Sequence, residues 1–159
     1  MIERVLTIGV YGKSESEFFD TLRRAGVDTF CDIRQRRGVR GSQYAFVNST
    51  KLQAVLASKG IRYRYIPALA PSRRIRALQR AADEEAGDTK RSRQDLGATF
   101  KERYIEEVLR PFDSSELQQQ LLMAKRVAFF CVEGNPNACH RSLVAARLCT
   151  DWNIPVENL

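Results

Sequence analysis

The chain has 159 residues, enough for one domain with a sizeable core and short for two. Charged residues make up 28% and no apolar run approaches the roughly 20 residues of a membrane span, so composition excludes a helical membrane protein. The 26 Lys and Arg against 19 Asp and Glu give a net charge of +7, which favours anionic partners such as nucleic acid or phosphorylated metabolites, although such a balance also serves solubility.

Met1-Ile-Glu-Arg4 runs directly into the strand-like Val5-Leu-Thr-Ile8, without the basic region, longer apolar stretch and small-residue cleavage site of a signal peptide. A cytoplasmic protein is expected. The cysteines, Cys31, Cys131, Cys139 and Cys149, form no CxxC pair, so reduced thiols are expected too.

The first strand ends at Gly9, and the polar stretch from Gly12 to Glu17 leads into a helix with Phe18, Phe19, Leu22 and Ala25 on one face, closed by Gly26. Val27 to Ile33 reads as a second buried strand that delivers Asp32 and Arg34 to its C-terminal end; as a βαβ unit, it should lie parallel to the first. From Arg34 to Val47 no periodicity survives, and Arg34, Arg36, Arg37 and Arg40 stand among Gly38, Gly41, Tyr44 and Phe46 in a basic loop. A helix over Lys51 to Lys59, begun by Asn48 or Ser49, precedes the third strand, Ile61 to Ile66. Alternation of Arg62 and Arg64 with Tyr63 and Tyr65 gives that strand one wet face, as expected near a sheet edge.

A helix from Arg73 to Ala86 follows, with Ile75, Leu78 and Ala82 on one side. Gly87 to Asp95 is polar with no apolar period, and reads as a mobile loop or lid. Ala98 to Arg110 reads as a helix stopped by Pro111, and a further helix capped by Asp113 or Ser114 should turn Leu117, Leu121, Leu122 and Ala124 inward. Val127 to Val132 is a short apolar run of the kind buried on both faces of a sheet, broken by Gly134-Asn-Pro-Asn137. The last helix then starts at once, with Cys139, His140 and Arg141 in or near its first turn, and Ile154-Pro-Val156 adds a short final strand. The alternation of strands and helices predicts a three-layer α/β/α sandwich around an open, mostly parallel sheet of about five strands, as a single domain over residues 1–159.

In such sheets ligands bind beyond the carboxyl ends of the strands. That rule gathers Asp32, Arg34, Glu133 and the Cys139-His140-Arg141 turn along one rim, although they are far apart in sequence. At a helix start the Cys139 thiolate would be favoured by the dipole and by Arg141. His140, the only histidine, is the natural acid or base near neutral pH. Free amides with Arg34 and Arg141 could hold a phosphate or carboxylate, with Arg37 and Tyr44 of the basic loop as further contacts, and Glu133 or Asp32 could serve as a general base. Each residue has a plainer reading. Cys139 could be an inert helix-start thiol, His140 a support for its loop, Asp32 with Arg34 an ion pair at a strand end, and Glu133 a partner of Arg141. Cys31 and Cys149 read as small core residues.

Metals and cofactors are not expected. Cys131, Cys139 and His140 lack CxxC or HxxxH spacing, adjacent Cys and His side chains diverge on a helix, and a fourth ligand is not evident. The P-loop and GxGxxG fingerprints are absent, and the Cys-x5-Arg phosphatase loop fails because Asn137 stands six residues after Cys131.

Thr7-Ile-Gly9, Cys31-Asp-Ile-Arg34, Gly60-Ile-Arg-Tyr63, Phe100 with Tyr104, Cys131-Val-Glu133 and Cys139-His-Arg-Ser142, in this order, resemble the bacterial and archaeal family catalogued as domain of unknown function 488. The resemblance runs over nearly the whole chain. It implies a compact three-layer α/β fold and singles out Asp32, Arg34, Glu133, Cys139, His140 and Arg141, but implies no reaction. Val10 and Asn158 stand where the family often has histidine, so the resemblance lends no support to a mechanism built on several histidines.

Two functions remain as expectations. One is a small enzyme whose rim site binds an anionic, nucleotide-like substrate, with Cys139 or His140 active and Arg34 and Arg141 as anchors. The alternative is a non-catalytic nucleic-acid-binding or regulatory module that uses the basic loop over residues 34–46, with Tyr44 or Phe46 free to stack on bases.

Overall fold

The computed structural model describes residues 1–159. Strands β1 (Arg4–Ile8), β2 (Thr29–Asp32), β3 (Arg62–Tyr65), β4 (Arg126–Phe130) and β5 (Val156–Asn158) form one sheet in the order β3-β2-β4-β1-β5, with every neighbouring pair parallel. Helices α1 (Glu15–Arg24) and α2 (Ser49–Ser58) cover one face. The other face carries α3 (Arg73–Ala86), α4 (Ala98–Tyr104), α5 (Ser114–Gln120) and α6 (Arg141–Trp152). The molecule is therefore a three-layer α/β/α sandwich with an open parallel sheet, and none of its helices is long and apolar enough to cross a membrane.

Side chains alternate between the two layers along each inner strand, as the two-residue period of a pleated strand requires. Val5, Cys31, Val127 and Phe129 enter one core with Ile75, Phe100, Tyr104 and Val144. Leu6, Ile8, Phe30, Ala128 and Phe130 enter the other with Phe18, Leu52 and Leu56. Burial on both faces explains why these strands read as continuous apolar runs. β3 lies at the sheet edge, and Arg62 and Arg64 are exposed there.

Helix starts follow their capping residues. Ser14 and Glu17 form a reciprocal capping box on α1, Ser72 accepts from the Ile75 amide at α3, and Asp113 accepts from the Ser115 and Glu116 amides at α5. Four expectations shift. α2 begins at Ser49, and the Asn48 side chain accepts from the Val39 amide instead of capping it. The expected helix over 98–110 is α-helical only to Tyr104 and continues as a π-helical turn, Ile105–Leu109. Leu122 is 67% exposed, because α5 ends at Gln120 and the chain turns before β4. The Asn135–Asn137 cap starts only a 3₁₀ turn, Pro136–Ala138, and α6 begins later, at Arg141.

The sheet order positions the site. The chain runs outward from β1 to β2 and β3, and β4 then returns between β1 and β2. The segment after β4 thus sits at the centre of the carboxyl edge, flanked by Ile33-Arg34 after β2 and by Gly9-Val10 after β1.

Candidate functional site at the carboxyl edge

A cavity of about 490 Å³ opens at this edge. Its lining includes Arg34 from the end of β2, Cys131 and Glu133 from the end of β4, His140 ahead of α6, Arg76 and Arg80 from α3, and Lys90 and Arg93 from the following loop.

Asp32 and Arg34 form a fully buried ion pair. Arg34 Nε donates to Asp32 Oδ1 at 2.9 Å, and Arg34 Nη2 donates to Asp32 Oδ2 at 2.7 Å and to the Val47 carbonyl at 2.9 Å. Tyr63 donates its hydroxyl to Asp32 Oδ2 at 2.8 Å. The aspartate is thus enclosed by donors, which suits it to orient Arg34 rather than to collect a substrate proton. Arg34 Nη1 is buried with no protein partner, on a residue that lines the cavity. That N–H is a donor which an anion or a water could satisfy.

Glu133 is held from the loop after α3. Arg93 donates through Nη2 to Glu133 Oε1 at 2.8 Å, through Nη1 to Asp83 Oδ2 at 2.9 Å and through Nε to the Ala138 carbonyl at 3.0 Å. Lys90 Nζ stands 3.9 Å from the same Glu133 oxygen. Glu133 Oε2 is buried and unpartnered. Burial raises the pKa of this carboxyl and Cys131 adds to the rise, against the pull of Lys90, Arg93 and His140.

Cys131, Cys139 and His140 meet beneath the cavity, with their potential ligand atoms all within 4.8 Å of one another. His140 Nε2 lies 3.0 Å from the Ile33 carbonyl, an acceptor only, so that nitrogen carries the proton. Nδ1 faces Cys139 Sγ at 3.8 Å. A hydrogen bond from Cys139 is the main cause that holds the Cys131 thiol well below its ordinary pKa; burial opposes this, and His140 and Lys90 reinforce it. Cys139 moves well upward, through burial first and then through Cys131. Burial alone would lower His140, but Cys131, Glu133 and the Ile33 carbonyl outweigh it and raise the pKa.

The residues singled out from sequence thus separate. Arg34, Glu133 and His140 line the cavity, and Asp32 supports Arg34 from below. Cys139 is wholly buried behind His140 and does not line the cavity, whereas Cys131 does. Cys139 has extended backbone ahead of α6 instead of a place in its first turn, and burial pushes its thiol upward. Arg141 is 1% exposed and donates to the Glu133 and Gly134 carbonyls, so it fixes the loop that carries Glu133 instead of facing a ligand. Arg37 stacks over the Tyr65 ring and donates to Ser49, away from the cavity. Tyr44 packs against Tyr11 and its hydroxyl accepts from the Gly12 amide.

Sequence reasoning left out Arg93 and weighed Cys131 only as a metal ligand or in a phosphatase loop, against both of which its spacing spoke. Arg93 stands in the basic run Lys90-Arg-Ser-Arg93 of the segment read as a mobile loop or lid; the structure anchors that segment at Arg93. Cys131 directly follows the last residue of β4, two residues before Glu133, a position that itself marks the carboxyl edge.

The chain is a parallel α/β/α sandwich with a cavity at the carboxyl ends of its central strands, the edge at which open α/β sheets bind their ligands. Residues 14–148 match the family described as Domain of unknown function DUF488, and the chain belongs to that family. No curated protein and no solved structure matches the chain.

Proposed function

We propose that the protein is a small enzyme that binds a phosphate-bearing, nucleotide-sized substrate in the carboxyl-edge cavity. The observation that carries this reading is Arg34. Its guanidinium is locked by Asp32 and Val47, its buried Nη1 has no protein partner, and the residue lines a cavity together with Arg36, Arg40, Arg76 and Arg80. A volume of about 490 Å³ lies within the range of small-molecule sites. Arg34 anchors the anion, the arginines around it raise its local concentration, and Cys131, His140 and Glu133 face the part of the substrate that reacts.

Calorimetric titration and thermal shift with inorganic phosphate, sugar phosphates and nucleoside monophosphates test this reading. Saturating ligand at about 100 times Kd should add about 2.7 kcal/mol of stability. Arg34→Lys should weaken binding about tenfold or more, because an ammonium cannot reproduce the fixed guanidinium fork. Arg76→Ala, which leaves the buried pair intact, should weaken it less. Absence of any shift with these compounds, together with salt-dependent oligonucleotide binding that depends on Arg36 and Arg40, would move the function to the basic loop surface.

A further inference from the structure

We propose that Cys131, Cys139 and His140 form a zinc site, with two thiolates and one imidazole as ligands and the fourth position open to the cavity. Only the use of this site on a phosphate-bearing substrate rests on the function proposed above.

The donor atoms lie within 4.8 Å of one another and all three residues are buried. In a tetrahedral zinc site with metal–ligand distances of about 2.0–2.3 Å, neighbouring donors stand about 3.5–3.8 Å apart, so metal binding requires only a modest contraction. The 3.8 Å between Cys139 Sγ and His140 Nδ1 already meets that spacing. Adjacent Cys and His side chains would diverge on a helix, but this pair is not on one. Cys139 has φ −137° and ψ 144°, and His140, with φ −61° and ψ −18°, is the residue before α6. That change of backbone conformation turns both side chains toward Cys131.

The histidine is oriented as metal-binding histidines are. Nε2–H donates to the Ile33 carbonyl, which fixes the tautomer and leaves the Nδ1 lone pair on the sulfur side. Two thiolates would neutralise a divalent ion, and a soft donor set of this kind selects zinc over magnesium or calcium. Cys131 and His140 both line the cavity, so the open coordination position has access to it, as in zinc sites with three protein ligands and an exchangeable water. Glu133 supplies an independent observation. Its Oε2 is buried without a partner beside the same cavity, as expected of a carboxylate that accepts from a metal-bound water.

The test uses the full chain, purified reduced and free of any histidine tag. Elemental analysis should find one zinc per chain. Metal-free protein titrated with cobalt(II) should saturate at one equivalent, with a sulfur-to-cobalt charge-transfer band and visible bands of four-coordinate geometry. Cys131→Ser and Cys139→Ser should each abolish that spectrum, while Cys149→Ser keeps it. In the unmodified protein, zinc should slow alkylation of Cys131 and Cys139 at a urea concentration that opens the metal-free fold and leave Cys149 reactive, a readout that needs no variant to fold. A folded, reduced protein that takes up no stoichiometric zinc or cobalt overturns the site, as does a cobalt spectrum that survives both Cys131→Ser and Cys139→Ser. Phosphate titration of the metal-free protein separates the two readings. Phosphate binding without metal uptake removes the zinc site alone, and metal uptake without phosphate binding removes the anion reading alone.

Discussion

Gly9 has no room for a side chain. A Cβ there would lie 1.9 Å from the Glu133 carbonyl oxygen and 3.1 Å from Arg141 Nη1, so β1 can pass the Glu133 loop only as glycine. The close approach also lets Arg141 reach the Glu133 and Gly134 carbonyls, which would otherwise lose their donor. Gly9→Ala should therefore lower stability by about 1–3 kcal/mol, the usual cost of forcing extra volume into a packed site. Equilibrium urea unfolding checks this; a change within about 0.5 kcal/mol would show that the loop yields freely. At this scale the sequence marked Gly9 only as the end of a strand. A carbonyl from a segment more than a hundred residues away is not visible in local pattern.

Among elements, the segment between α3 and α4 differs most from its sequence reading. Its polarity and lack of apolar period describe a surface loop correctly, yet they do not disclose that Arg93 is captured by two buried carboxylates and a carbonyl. Breaking a buried pair by removing one partner leaves the other charge uncompensated. Arg93→Met should cost on the order of 3 kcal/mol and release the loop. Trypsin cleavage after Lys90 and Arg91, and amide exchange over residues 87–95, should then rise well above the level of the unmodified protein. Unchanged exchange would mean that the neighbouring contacts suffice. The turn after β4 differs from its reading in the same physical way. Asn135 and Pro136 signal a helix start, but the chain makes a 3₁₀ turn first, and the two residues it sets between that turn and α6 are Cys139 and His140.

For the whole molecule, the opposite end of the sheet is tied by one side chain. Asp28 accepts from the Lys125 and Arg126 amides at the start of β4 at 2.8 and 2.9 Å, from Thr29 at 2.7 Å, and from Arg62 of β3 at 3.2 Å. Burial by itself would raise its pKa, but the four hydrogen bonds outweigh it and hold the carboxyl below its ordinary value. A folded-state pKa below the unfolded one gives stability that is present above the unfolded value of about 3.9 and is lost as pH falls through the folded value. Asp28→Asn should therefore be less stable than the unmodified protein from pH 5 to 7, with the difference shrinking below about pH 4. Urea midpoints measured across that range check it; a difference that stays constant to pH 3 would rule out the carboxylate as its source.

Fold class was legible because period and turn chemistry are local. Val127 to Val132 announces a doubly covered strand, Arg62 to Tyr65 an edge strand, and Ser14 with Glu17 a helix start, whatever the rest of the chain does. The carboxyl-edge rule then named Asp32, Arg34, Glu133, Cys139, His140 and Arg141 from sequence. What the tertiary structure alone decided is which of these face one cavity. Strand order is set by pairing between distant segments, and the return of β4 between β1 and β2 brings Cys131 and Glu133 beside Arg34. The backbone of the 3₁₀ turn, fixed by contacts with Arg93 and Leu96, places Cys139 and His140 against Cys131. Neither the pairing nor the turn leaves a periodic trace in the sequence, because each depends on long-range hydrogen bonds and buried charge rather than on neighbouring residues.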